Sequence, residues 1–133
     1  MKIYLASFYE KHNHGNGRKF SVCSSFPEDT PTQGMIPYLT PSPSILSEYD
    51  KNKINIEISA RAGEIFETSF KKELDALYLD LTEESKVNNK SIMEILPFED
   101  GDTLLSWERE HYTNYRKNIA NILQKIGYEV ILA

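Results

Sequence analysis

Residues Asp102–Ala133 read DTLLSWEREHYTNYRKNIANILQKIGYEVILA, and this stretch decides the fold. Thr103 to Glu108 reads as a strand. Asn114 to Ile126 carries helical periodicity, with Ile119, Ile122, Leu123 and Ile126 at i, i+3, i+4 and i+7. Thr113 or Asn114 is the candidate N-cap, and Gly127 is the C′ residue that stops the helix. Tyr128 to Leu132 reads as a second strand. A strand–helix–strand unit implies a parallel sheet, because the crossover helix returns the chain in the same direction. Ligands in open α/β sheets gather where strands end and helices begin. Here that junction is Arg109-Glu110-His111-Tyr112-Thr113-Asn114-Tyr115-Arg116, dense in cations, aromatics and hydrogen-bonding groups.

Working outward, Lys2 to Phe8 is rich in β-formers and reads as a first, central strand. Glu10 to Arg18 is a loop, with two glycines and two asparagines that tolerate positive φ. Lys19 to Ser24 alternates and reads as a second strand. Phe26 to Ser44 holds every proline except Pro97, so it forms neither a regular helix nor a central strand. An ordered meander is expected there, because Met35, Ile36, Tyr38 and Leu39 need burial. Ser44 can cap a short helix, Ile45 to Tyr49. Arg61 to Leu81 is the strongest amphipathic helix, with Phe66, Phe70, Leu74, Leu77, Tyr78 and Leu81 on one stripe that reads as core. Glu83 to Leu96 is a weaker helix, interrupted near Asn88-Asn89 and ended by Pro97. The expectation is a single α/β domain over 1–133, three-layered, with a mostly parallel sheet and a C-terminal strand–helix–strand unit.

Composition bounds the function. At 133 residues, 40% hydrophobic and 26% charged, the chain has the make-up of an ordinary globular domain. Its net charge of -5, from 20 acidic and 15 basic side chains, gives no overall attraction to nucleic acid or to an anionic membrane. One cysteine, Cys23, allows neither an internal disulfide nor a Cys-based metal site, and suits a reducing cytosol. No apolar stretch approaches the roughly 20 residues needed to span a bilayer. The first eight residues are too short an apolar run for a signal peptide. A soluble, cytoplasmic protein is expected, with no membrane and no nucleic acid among its partners.

The strand-to-helix junction is the first candidate for chemistry. The opening turn of a helix offers free backbone N–H groups and the positive end of its dipole. Arg109 before that turn and Arg116 within it add two permanent charges, and guanidinium groups bind phosphate or carboxylate bidentately. Trp107, Tyr112 and Tyr115 can stack on a base-like ring, while Asn114 can read its edge and His111 adds a donor. Ser7 and Tyr9, at the end of the first strand, line the same cleft if the two strands are neighbours. The alternative is that Arg109 and Arg116 pair with Glu108 and Glu110 on a solvated surface.

Other chemistry is weaker. His12 and His14 lie two apart in the Gly-rich loop, and a metal site would require both to converge with His111. Cys23, inside an expected strand, reads as a buried small hydrophobe. The chain has no G-x-S-x-G elbow, no P-loop and no G-x-G-x-x-G fingerprint. No cofactor, metal or catalytic residue is assigned.

Several segments together resemble a known family. Met1-Lys2-Ile3-Tyr4 with Ser7-Phe8, Gly17 to Val22, Pro37 to Leu46 and Tyr49 to Ile54 are similar to successive parts of the domain-of-unknown-function family four-eight-eight. Asp102 to Glu108 resembles its strand of hydrophobics followed by Cys, an aromatic and Glu. Asn114-Tyr115-Arg116 stands where that family has Cys-His-Arg. The likeness covers nearly the whole chain and implies a compact α/β fold with a pocket at this junction. Ser106 and Asn114 stand in place of both cysteines and Tyr115 in place of the histidine, so thiol or acid–base chemistry carried by that trio is lost here.

The leading expectation is therefore a non-catalytic binding protein for a nucleotide-derived, phosphate-bearing small molecule. Arg109 and Arg116 would take the phosphates, with Trp107, Tyr112 and Tyr115 as stacking walls. Small size and a degenerate motif also suit a phage-encoded protein that sequesters a host immune nucleotide signal in the host cytoplasm. One alternative is an enzyme acting on nucleotides or nucleic-acid components with His111 or His14 as acid–base groups. Another is a protein–protein interaction module using the Pro-rich meander around Tyr38-Leu39. A homo-oligomer is expected if a neighbouring subunit completes the cleft.

Overall fold

A computed structural model describes residues 1–23, 27–29, 32–107 and 110–132, with 110–114 as backbone only. Lys2–Ser7 (β1), Lys19–Ser21 (β2), Asp102–Ser106 (β3) and Glu129–Leu132 (β4) form one parallel sheet in the order β2-β3-β1-β4. The register runs from Ile3 beside Asp102 to Ser7 beside Ser106, so β1 and β3 end together. All five residues of β3 are buried, as expected of a central parallel strand covered on both faces. The outer edge of β2 is also covered. Ser21 N–H donates to Gly34 O at 2.9 Å and Ile36 N–H donates to Ser21 O at 2.9 Å, so the proline-rich meander runs beside the strand and occupies its free hydrogen-bonding edge.

Strand order decides which face each connection covers. The step from β1 to β2 moves one way across the sheet, and the steps from β2 to β3 and from β3 to β4 move the other way. Right-handed crossovers then put the first connection on one face and the two helical connections on the opposite face. Packing agrees. Ile3, Leu5 and Leu104 cluster with Phe66, Phe70 and Leu74 of α2 (Ala62–Asn88) and with Ile119 and Leu123 of α4 (Glu110–Ile126). On the other face Ala6, Phe8 and Leu105 form a separate small cluster with Trp107. The third layer is thus thin, a loop with one 3-10 turn at Lys11–Asn13. Gly17 pins that loop, because its N–H donates to Gly101 O at 3.1 Å and a Cβ there would collide with the Gly101 backbone.

The expected elements are present with shifted ends. Helix α1 spans Pro43–Ile54, longer than Ile45 to Tyr49, and its cap is Ser42 rather than Ser44. Ser42 Oγ accepts from Ile45 N at 3.4 Å, and Pro43 occupies the first helical position, where its missing N–H costs nothing. Helix α2 continues past Leu81 through EESKVN, in which Glu83, Glu84 and Lys86 are good helix formers, and stops at Asn89, which adopts φ 53°. The following α3 is a single turn, Ile92–Ile95, closed by a reciprocal Ser91–Glu94 capping box. Helix α4 starts at Glu110, so neither Thr113 nor Asn114 is its N-cap and Arg116 lies in the second turn. Apolar periodicity begins only at Tyr115, and the polar turn before it left no periodic signal. Gly127, with φ 125°, ends α4 as expected, and β4 begins two residues later. Both strands end earlier than expected, β2 at Ser21 rather than Ser24 and β3 at Ser106 rather than Glu108, with Val22, Cys23 and Trp107 already outside them. Ser24 and Glu108 themselves lie outside the described residues.

At the amino end of the sheet the strands are locked by a buried carboxylate. Asp102 has no exposure, and its oxygens accept from Arg18 Nε at 3.2 Å, Arg18 Nη2 at 2.7 Å, Arg18 N at 3.1 Å and Glu99 N at 2.8 Å. Arg18 also donates to Pro97 O at 2.7 Å. Four donors on one carboxylate compensate the removal of its charge from water.

Candidate functional site

Three buried serines lie near the carboxyl ends of β1, β2 and β3. Ser7 and Ser106 are register partners on one face, while Ser21 is partnered with Leu105 and so lies on the other face. Ser7 Oγ accepts from Tyr9 N at 3.1 Å. Ser21 Oγ accepts from Cys23 N at 3.1 Å and donates to Cys23 O at 3.0 Å. Both serines close local turns as the chain leaves its strand. Ser106 is different. Its Oγ accepts from Arg116 Nη1 at 2.9 Å, which draws the half-buried guanidinium from the second turn of α4 onto the end of β3. Among the described residues Arg116 forms no ion pair.

Aromatic side chains flank this edge. Trp107 follows β3 and meets Phe8 edge-on at 5.0 Å between centroids, with Tyr9 tilted against it at 6.1 Å. Tyr9 is 53% exposed, so one side of this set faces solvent. Ser7 ends β1 beside Ser106, which bonds Arg116, and Tyr9 packs on Trp107, so these side chains stand at the carboxyl edge of the sheet. Tyr115 is a correction. Its side chain is fully buried, with its ring 4.9 Å from Phe70 and 6.5 Å from Phe66, and its hydroxyl 3.5 Å from Leu39 O. It belongs to the apolar stripe of α4, four residues before Ile119, and offers no face on which a ligand can stack. Arg109 lies outside the described residues, as do the side chains of His111, Tyr112 and Asn114.

Cys23 joins this edge through β2, a neighbour that local sequence does not reveal. It is 5% exposed, and burial pushes its thiol above the ordinary range against smaller opposing effects from the Trp107 backbone, Tyr115 and Arg116. A thiol held protonated is a poor nucleophile. His14, named above as a possible acid–base group, also reaches this edge, its Nε2 donating to Ser7 O at 2.8 Å, while Nδ1 is buried with no partner among the described residues. Burial lowers its pKa, opposed by the Ser7 hydrogen bond and assisted by Lys19, Lys11 and His12. His14 is thus neutral at pH 7. The adjacent His12 is exposed. Whether these two meet His111 lies outside the described residues, among which no group of His, Cys, Asp or Glu has the arrangement to hold a metal. Among the same residues no helix is long and apolar enough to cross a membrane.

Among the described residues, this edge presents a cation on a neutral hydroxyl, a half-exposed aromatic pair, and Ser7 and Ser21 engaged by the backbone. Compared with known proteins, the chain matches no protein-family model, no curated protein sequence and no solved structure.

Proposed function

We propose that this protein binds a phosphate-bearing, nucleotide-derived small molecule at the carboxyl end of β1 and β3 and holds it unchanged. The observation that carries the reading is Arg116. Its guanidinium is oriented by a neutral partner, Ser106 Oγ at 2.9 Å, and meets no carboxylate among the described residues, which leaves its charge for an anion. Tyr9 and Trp107 supply a ring pair at the same carboxyl edge of the sheet, as a ring-bearing ligand requires. Arg109, at the approach to α4, would be the second phosphate ligand, with Tyr112, Asn114 and His111 completing the cleft.

Holding rather than turnover is supported by what the other groups are doing. Ser7, Ser21 and Ser106 are each committed to a hydrogen bond, the Cys23 thiol is held protonated, and His14 points its donor at a backbone carbonyl. The hydrogen bonds that Ser7, Ser106 and His14 make among the described residues do not join a nucleophile to a base, the pairing that covalent catalysis requires. Retention of an intact ligand is what sequestration of a nucleotide signal needs, the role envisaged for a phage-encoded chain of this kind.

The test is to incubate the protein with cyclic nucleotides and with ADP-ribose derivatives, remove free ligand, release the bound fraction by heat and identify it by mass. Intact ligand is expected, with a salt-sensitive affinity that Arg116→Ala lowers roughly ten- to hundred-fold. Recovery of a cleaved product, or unchanged binding by Arg116→Ala, overturns the reading.

A further inference from the structure

A cleft between α2 and α4 lies apart from the Arg116 edge. Residues two apart on a helix point about 200° from each other, so Asn118 faces α2 while Arg116 reaches the end of β3. The two helices run side by side in the same direction. Tyr115 meets Phe66 and Phe70 near their starts, and Lys125 meets Tyr78 further along both. Between these contacts their side chains enclose a cleft of about 480 Å³.

Asn118 is the anomaly in this seam. It is 7% exposed and flanked on α4 by the buried Tyr115, Ile119 and Ile122, yet its Nδ2 has no hydrogen-bond partner among the described residues. Asparagine is a poor helix former, and an apolar side chain would fill the same place with no amide to satisfy. A buried donor without an acceptor carries the full desolvation penalty of the group. It calls for an acceptor from outside the chain.

The walls of the cleft carry both signs of charge. Glu67, Lys71 and Asp75 follow one another at i, i+4 and i+8 along α2, and all three line the cleft. At that spacing Lys71 can pair with either acid, but among the described residues it pairs with neither. Lys125 of α4 stands across from them with its Nζ 4.1 Å from the centre of the Tyr78 ring. Two carboxylates, two ammonium groups and an unmet amide donor therefore share one small cleft.

We infer that this cleft binds a small zwitterion of the α-amino-acid class. Its carboxylate accepts from Asn118 Nδ2 and is balanced by Lys71 or Lys125, and its ammonium group is balanced by Glu67 or Asp75. A simple anion would satisfy the amide but face two uncompensated carboxylates. A simple cation would leave the amide without an acceptor. A ligand carrying both signs complements every group. No part of the Arg116 edge takes part, so the two sites fail independently.

NMR titration of the isotope-labelled full chain with the common amino acids tests this. At least one is expected to shift the Asn118 side-chain amide and the backbone amides of the cleft saturably. Its N-acetylated and its amidated forms, each lacking one charge, should bind roughly tenfold or more weakly. Asn118→Leu should abolish the backbone shifts with the melting temperature unchanged or raised, because the lost amide has no partner among the described residues. Glu67→Gln with Asp75→Asn, at positions that reach solvent, should keep the fold and weaken binding, whereas Arg116→Ala should leave it unchanged. Shifts that no amino acid saturates would mean that water alone meets Asn118, and overturn the inference. Blocked forms that bind as well as the free amino acid overturn it too, as does binding that survives Asn118→Leu.

Discussion

Strand β3 carries an arginine at each end, and the two are held in opposite ways. At its first residue, Asp102, a buried carboxylate takes Arg18 in a two-point ion pair and accepts two backbone N–H groups besides. At its last residue, Ser106, a neutral hydroxyl takes one hydrogen bond from Arg116. The amino end is electrostatically closed. The carboxyl end leaves a cation whose charge no described side chain cancels. One arginine therefore ties strands together, and the other is suited to meet something from outside.

Breaking the closed end should have the largest effect. Asp102→Ala leaves Arg18, Glu99 N and the end of β3 without their acceptor, and is expected to destabilise the fold by about 3 kcal/mol, read by urea denaturation. Ligand binding at Arg116 should survive wherever the variant remains folded. Comparable loss from Arg116→Ala would erase the contrast between the two ends.

The next effect is on affinity. Ser106→Ala removes the group that orients Arg116, and titration calorimetry should show phosphate-ligand binding weakened about fivefold, with stability lowered by about 1 kcal/mol. Stronger binding would instead mean that Ser106 competes with the ligand for the guanidinium. Tyr115→Phe should cost about 1 kcal/mol or less and leave affinity unchanged, because the ring packs in the core and only its hydroxyl is removed. A loss of affinity there would return Tyr115 to the binding cleft.

The smallest effect is a pH slope. Burial holds His14 below its ordinary 6.5, so the folded chain binds fewer protons than the unfolded one just below that value. The resulting stability is complete above 6.5 and is lost as pH falls through 6.5 toward the folded-state value. His14→Gln keeps a donor for Ser7 O and should flatten this part of the profile, measured by denaturation midpoints between about pH 5 and about pH 7.5. An unchanged slope would mean that the proton is taken up elsewhere.

Local pattern was enough for most elements. Phe66, Phe70, Leu74 and Leu81 recur at helical spacing and are buried in the core as expected, while Leu77 and Tyr78 of the same stripe are only half-buried. Extending the stripe of Ile119, Ile122 and Leu123 backward by four residues reaches Tyr115, so its burial was legible, though its place in a loop-proximal junction suggested a binding role. The start of α4 was not legible, because its first turn has no apolar period. Nor was an open groove that the meander, α1 and α2 line jointly, with Met35 and Tyr38 left exposed along it, because its walls come from segments far apart in sequence.

By itself, then, the sequence determined a parallel α/β arrangement with a strand–helix–strand end, because periodicity, caps and glycine stops act over a few residues. The tertiary structure decided that β2 lies beside β3, that Arg18 meets Asp102 across 84 positions, and that His14 reaches Ser7. Those pairings depend on strand order and on which face each crossover covers. Both are properties of the whole chain, because every segment competes for the same sheet edges and the same buried surface.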